Sequence, residues 1–414
     1  MRMYTLLLSA LLFCLINEVV AQQPYRTKSA SEIIGNPDYL AISYGGYRQL
    51  SRAEVPSIAE LKEDLRLLAA MNIKILRTYN TQQFEEAARL LQAIRELKDE
   101  DPAFDMYVML GAWINCASAW TGSPNHAAEN IDENTAEIQA AIKMANEFPD
   151  IVKVIAVGNE AMVHWAASYY VEPGIILKWV NYLQDQKKSG GLPADVWITS
   201  SDNFASWGGG DASYHLPELT ALLQAVDYVS MHTYPFHDSH YNSAYWLGGP
   251  EEAGFSGEDQ AKHAMTRAVA YAQSQYQSVA DYMDSLGISK PIHIGETGWA
   301  TVCNSLYGPT GSRAADEFKQ KCYYDAMRDW TQSAGISCFF FEAFDEPWKD
   351  ANNPLGSENH FGLFTTDGQA KYVIWELVDA GKFEGLSRAG NPIRKTYHGS
   401  VEALSHDLLI PPLK

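Results

Sequence analysis

Eight apolar, β-branched and aromatic runs, each followed by a stretch of helical periodicity, constrain this chain more than any other feature. The runs lie at 39–45 (YLAISYG), 73–79 (IKILRTY), 105–113 (DMYVMLGAW), 152–160 (VKVIAVGNE), 196–202 (VWITSSD), 226–234 (VDYVSMHTY), 291–299 (PIHIGETGW) and 335–345 (GISCFFFEAFD). They are apolar on both faces and no tight hairpin joins them, the pattern of buried parallel strands. Helical periodicity occupies 58–71, 83–99, 132–148, 173–188, 215–225, 259–286, 313–332 and 369–381. The first helix follows Pro56, and Ser57 with Glu60 forms a capping-box pattern ahead of Leu61, Leu65 and Leu68. Eight such alternations predict an α/β fold, a (β/α)8 TIM barrel.

At the amino end, Arg2 precedes the apolar stretch TLLLSALLFCLI, and Val19 and Ala21 offer small residues for cleavage before Gln22. The stretch is too short to span a bilayer comfortably. We expect a signal peptide at 1–21 and one catalytic barrel domain at 22–414, since no linker or low-complexity tract divides the remainder. The product is expected to be exported to the periplasm, the medium or the cell surface, without stable membrane insertion. Export places Cys116, Cys303, Cys322 and Cys338 in an oxidising compartment. The expected bridge is Cys303–Cys322, pinning the loop after GETGW to the next helix, with Cys338 a buried thiol.

Barrel interiors are packed, so chemistry gathers where the strands end. The strand ends hold Tyr44, Arg77, Tyr79, Trp113, Asn159, Glu160, Ser201, Asp202, Asn203, His232, Tyr234, Glu296, Trp299 and Glu342. Glu160 closes the fourth run and Glu296 the seventh. One glutamate at a strand end is as readily a cap or an anchor as a catalyst; two, each in a Gly- and Trp-bearing rim segment, point to a reacting pair. Breaking a glycosidic bond needs a proton donor for the leaving oxygen and a carboxylate for the anomeric carbon, about 5 Å apart in retaining enzymes. We assign Glu160 as acid/base and Glu296 as nucleophile. Asn159 is placed to bond the sugar 2-hydroxyl, Tyr234 and Arg77 to hold Glu296 ionised, and His232 and Tyr44 to complete the rim's polar set.

Of the tryptophans in rim segments, Trp113, Trp207, Trp299 and Trp348 are the expected sugar platforms, their flat faces suiting pyranose C–H faces. The net charge of −20, with no basic stripe, argues against nucleic acid and anionic lipid. No dinucleotide fingerprint, phosphate-binding loop or Gly-x-Ser-x-Gly elbow is present, so no cofactor is expected. His232, His237 and His240 lack the spacing of a metal site, and no catalytic metal is expected.

The segments AISYGG (41–46), KILRTY (74–79), GNE (158–160), MHTYP (231–235), GETGW (295–299), FEAFDEPWK (341–349) and ENHFGLF (358–364), in barrel order, resemble glycoside hydrolase family 17, in its fungal- and bacterial-like branch. The resemblance implies a retaining mechanism with Glu160 and Glu296 in the roles just assigned. It also implies a supporting cluster of Glu346, Lys349 and Glu358. The expected activity is that of a monomeric endo-β-1,3-glucanase on laminarin-like β-glucan. A glucan transglycosylase or an exo-acting β-glucosidase would use the same pair, and a noncatalytic carbohydrate-binding barrel is the alternative of another class.

Overall fold

The structure, a computed structural model, describes residues 27–414; the signal peptide expected at 1–21 lies outside the described residues. Eight parallel strands close on themselves: β1 Leu40–Ser43, β2 Ile73–Arg77, β3 Tyr107–Ala112, β4 Val152–Asn159, β5 Trp197–Asn203, β6 Val229–His232, β7 Ile292–Gly298 and β8 Cys338–Phe341. Each pairs with its sequence neighbours, and β8 returns to β1 through Ala41 opposite Phe339 and Ile42 opposite Phe340. This is the (β/α)8 barrel expected.

Seven helices wrap the barrel: α1 Ile58–Ala70, α2 Glu86–Glu100, α3 Ile131–Glu147, α4 Pro173–Ser189, α5 Pro217–Ala225, α6 Gly257–Ser285 and α7 Glu317–Ser333. The capping box forms at α1: the Ser57 N–H donates to Glu60 at 2.8 Å, and the Glu60 N–H donates to Ser57 Oγ at 3.3 Å. Leu61, Leu65 and Leu68 of α1 are fully buried, each contributing about 1.5–3 kcal/mol by leaving water. The eighth helical stretch is shorter than its periodicity suggests, a 3-10 turn at Tyr372–Ile374 running into α8, Trp375–Asp379. Two details hold its entry extended: Lys371 is buried against Asp345 at 2.7 Å, and the Ala370 N–H donates to Arg394 O at 2.7 Å. No helix of the described residues is long and apolar enough to cross a membrane.

Alternate strand residues Ala41, Ile75, Tyr107, Met109, Val154, Ala156 and Phe339 pack together inside the barrel, while a larger apolar layer joins strands to helices. A short helix, Ala30–Ile33, leads into the interior cluster through Ile33 and Ile34. It sits at the amino ends of the strands, where Gly35 N–H donates to Ser337 Oγ at 2.8 Å. With that end plugged, the opposite rim is left for ligand.

Two irregularities aim side chains at that rim. Between β4 and β5 the register slips so that Ala156 faces Thr199 but Asn159 faces Ser201, and between β6 and β7 Met231 faces Ile294 but His232 faces Glu296. Each slip inserts one extra residue, a β-bulge that re-aims the side chains beyond it. Each contains a glycine. Gly158 has φ 81°, and a Cβ on Gly295 would lie 2.0 Å from Ser230 Oγ.

Candidate active site

The β7 bulge turns Glu296 from the outward register of Ile294 toward the barrel axis, where it is buried. Arg77, two residues beyond interior Ile75 on β2, forms a buried ion pair with its Oε2. Tyr79 donates its hydroxyl to the same oxygen at 3.0 Å, and Tyr234 donates to Oε1 at 2.6 Å. Arg77 also donates to Asn159 Oδ1 at 2.5 Å, tying the two bulged strands together.

Glu160 follows the last residue of β4 in the left-handed region, φ 47°, its N–H donating to Ser201 O at 3.0 Å. A non-glycine residue held there marks strain of about 1–3 kcal/mol, which clusters at functional sites. Its Oε1 shares a hydrogen bond of 3.1 Å with His232 Nδ1; His232 Nε2 meets Ser201 Oγ at 2.8 Å, and Ser201 meets Ser230 Oγ at 2.9 Å.

The two carboxyls are driven apart electrically. Burial, then the Glu296 charge, push Glu160 well above the usual carboxylate range despite Arg77. Burial would raise Glu296 as well, but the opposing pull of Arg77, then His232 and the Tyr234 hydrogen bond, holds it at about 2. Burial lowers His232 to about 4, so near neutrality the imidazole that meets Glu160 is uncharged. One cleft therefore holds a carboxylic acid beside a carboxylate, the pairing that acid-assisted nucleophilic displacement requires.

Both glutamates open into a cleft of about 830 Å³, lined also by Trp165, Asn203, Tyr234, His237, Tyr241, Tyr307, Phe341, Glu358 and Phe361. Beside it Lys349 donates to Glu342 Oε2 at 2.6 Å and lies 3.2 Å from Glu346, whose Oε1 accepts from the Tyr47 N–H at 3.0 Å. Of the expected supporting cluster, Glu358 thus reaches the cleft wall, while Glu346 and Lys349 form a buried network behind it.

Several expectations are corrected. Trp207 and Trp299 have no exposed surface: their Nε1–H groups donate to Ser230 O at 3.0 Å and Ala314 O at 2.8 Å, making them core struts rather than sugar platforms. Tyr44 is buried and donates to Asp64 Oδ2 at 3.1 Å, outside the cleft lining. The Cys303–Cys322 bridge is absent, and all four cysteines of the described residues are free thiols. Cys303 is turned into its own loop, accepting from the Ser305 N–H at 3.4 Å, whereas Cys322 lies on α7 among Asp325, Asp316 and Lys262, its thiol pushed by burial to about 11. His237, given no role from the sequence, lines the cleft and meets Tyr307 at 3.1 Å, while His240 is exposed.

Trp113 and Trp348 stand half-buried at the rim. The first stacks with Trp120 and packs at a tilt on Tyr169, and the second packs on Tyr47 with Arg52 4.3 Å above its ring. The sequence puts Tyr79 and Ser201 at strand ends but assigns neither a role, and Ser230 is not among the rim residues. The signal for Tyr79 was present: it stands two residues after Arg77, the spacing that returns a side chain to the same side of a strand.

Several known proteins resemble this chain in sequence and fold. A family model described as the BtgE/BtgC glycoside hydrolase domain matches residues 41–362. A solved endo-laminarinase from Formosa Hel1_33_131 is 60% identical, covering 94% of this chain and 98% of that one with a TM-score of 0.92. A Rhizomucor miehei β-1,3-glucanosyltransferase, 20% identical over 80% of this chain and 94% of its own, shares the fold at a TM-score of 0.53. A glucan 1,3-beta-glucosidase from Arthroderma benhamiae is 24% identical over 76% of this chain and 83% of its own length.

Proposed function

Because the chain belongs to the BtgE/BtgC glycoside hydrolase domain family, we propose that it is a retaining endo-β-1,3-glucanase acting on laminarin-like glucan. The observation that carries the reading is the electrical asymmetry of Glu160 and Glu296 in one cleft. The 60% likeness to an endo-laminarinase over nearly the whole of both chains supports the substrate and the internal mode of cleavage.

In the first step the Glu296 carboxylate attacks the anomeric carbon while the Glu160 carboxyl gives its proton to the departing glycosidic oxygen, leaving a glycosyl ester on Glu296. In the second step Glu160, now a carboxylate, takes a proton from water, whose oxygen displaces Glu296 and regenerates both groups. Arg77, Tyr79 and Tyr234 keep Glu296 ionised and oriented, and Asn159, held by Arg77, is positioned for the 2-hydroxyl of the sugar being cleaved. His232 hydrogen-bonds Glu160 without adding charge. The leader-like first 21 residues support export as the setting of this activity.

The test is an early time course on reduced linear β-1,3-glucooligosaccharides followed by mass spectrometry. Shorter fragments from internal bonds are expected. Products longer than the starting chain would assign transglycosylation instead, glucose alone would assign exo action, and no product would overturn the reading.

A further inference from the structure

We propose that the mutually packed cluster of Trp113, Tyr169 and Trp120 is a distal glucosyl subsite that extends the binding track beyond the cleft; this rests on the glucanase reading above. The rings of Trp120 and Tyr169 lie 4.9 Å apart at 25°, those of Trp113 and Tyr169 5.0 Å apart at 38°, and the two indoles are stacked at 6.4 Å and 24°. Yet Trp120 remains 61% exposed. A ring covered on one side and exposed to this degree keeps its outer face in water, a flat apolar surface with no partner in the fold.

The backbone is built to hold it there. Trp120 stands at φ 63°, a conformation bulky residues avoid, and its N–H is fixed to Ser168 O at 2.8 Å. It sits in the hairpin that pairs Cys116–Ala117 with Asn125–Glu129. That hairpin is laced to the loop after Glu160 by Cys116 N–H to Tyr169 O at 3.1 Å and Glu172 N–H to His126 O at 3.0 Å. Strain accepted to expose an apolar ring contributes nothing to a core; held rigid, it lowers the ordering cost of binding.

Continuity with the site selects the occupant. Tyr169 donates its hydroxyl to the carbonyl of Asn159 at 3.4 Å, so the stack begins beside the residue preceding Glu160 and runs outward to Trp120. A glucan leaving the catalytic pair on the Asn159 side would meet this cluster, and the C–H face of a pyranose is the neutral, flat surface an indole face accepts.

The test uses the Glu296→Gln full chain, in which bound sugar is not consumed, titrated calorimetrically with laminaritriose through laminariheptaose. Affinity is expected to rise stepwise with length, and Trp120→Ala in that background to remove the increment of the longer sugars, about tenfold, while Trp120→Phe retains most of it. A loss equal at every length would make Trp120 a mere support for Tyr169, and unchanged affinities, or no binding by any member of the series, would overturn the subsite. Laminarin turnover by the unsubstituted chain is measured separately, so failure of the glucanase reading shows there and failure of the subsite shows in the titrations.

Discussion

Glu160 and Glu296 carry the same functional group and differ only in what surrounds them, so the same substitution should have opposite effects on stability. Glu296 is held at about 2 against an ordinary 4.5, a depressed value whose stabilisation is present above 4.5 and lost as pH falls toward 2. At about 1.4 kcal/mol per unit this amounts to roughly 3 kcal/mol. Glu296→Gln should lower stability by about that much at pH 7, by denaturant titration, and the gap from the unsubstituted chain should narrow as pH approaches 2. Glu160 is raised instead, so the folded state is penalised as pH climbs above the ordinary carboxyl value; Glu160→Gln should melt higher at pH 7 while losing about 10²–10⁴ in turnover. Either variant moving in the other direction would break the assignment of acid and anion. The same signs give the rate profile: activity should fall as rising pH strips the proton from Glu160, and only strongly acidic solution should protonate Glu296. Much of this set was legible at the residue scale, because Arg77, Asn159, His232 and Tyr234 all stand at strand ends and meet around the pair. Trp207 and Trp299 were not, since a rim aromatic faces either the cleft or the helix layer, and a bulge nearby scrambles the alternation that would decide.

At the scale of elements, the eight strands and seven of the eight helices were readable because period-2 and period-3.6 patterns result directly from which face is buried. What the pattern lacks is tertiary pinning. The helix expected from 313 starts at Glu317 because Arg313 sits at φ 58° and Asp316 caps the first turn, accepting from the Lys319 N–H at 2.8 Å. The bulges left a trace in the sequence, an isolated glycine before each glutamate, GNE and GETG, although alternation alone does not announce their register slip. Their role gives a prediction. A methyl group on Gly295 would meet Ser230 Oγ at 2.0 Å and Ser201 Oγ at 2.7 Å, both beneath Glu160's partner His232. Gly295→Ala should therefore cost about 1–3 kcal/mol of stability through overpacking and reduce kcat more than it changes KM, because it disturbs both glutamates at once. Steady-state kinetics with a parallel unfolding titration would check this, and an unchanged kcat would mean the bulge does not set the catalytic geometry.

At the scale of the whole molecule, the thiols show how compartment and core size pull in different directions. Export argued for a bridge, but a chain of this length buries enough apolar surface to need no covalent staple. Instead, long-range polar ties close the structure: Arg388, near the carboxyl end and without exposed surface, donates to Asp64 of α1 at 2.9 Å, and Arg328 of α7 donates to Ala41 O on β1 and Cys338 O on β8, both at 2.7 Å. These ties join the first and last strands and lock the C-terminal segment to the barrel without sulfur chemistry. Two of the free cysteines sit in surroundings that disfavour oxidation, Cys322 and Cys338 both pushed by burial to about 11, which leaves little thiolate near neutrality. Thermal unfolding of the folded protein, exported or not, should thus be the same with and without excess dithiothreitol, and a thiol reagent added in denaturant should label Cys116, Cys303, Cys322 and Cys338 with no prior reduction. A structural bridge would contribute about 2–5 kcal/mol and lower the melting temperature by several degrees on reduction. Such a shift, or a Cys303–Cys322 crosslinked peptide in a non-reducing digest, would restore the bridge that the placement of Cys303 in its loop and Cys322 on α7 disfavours.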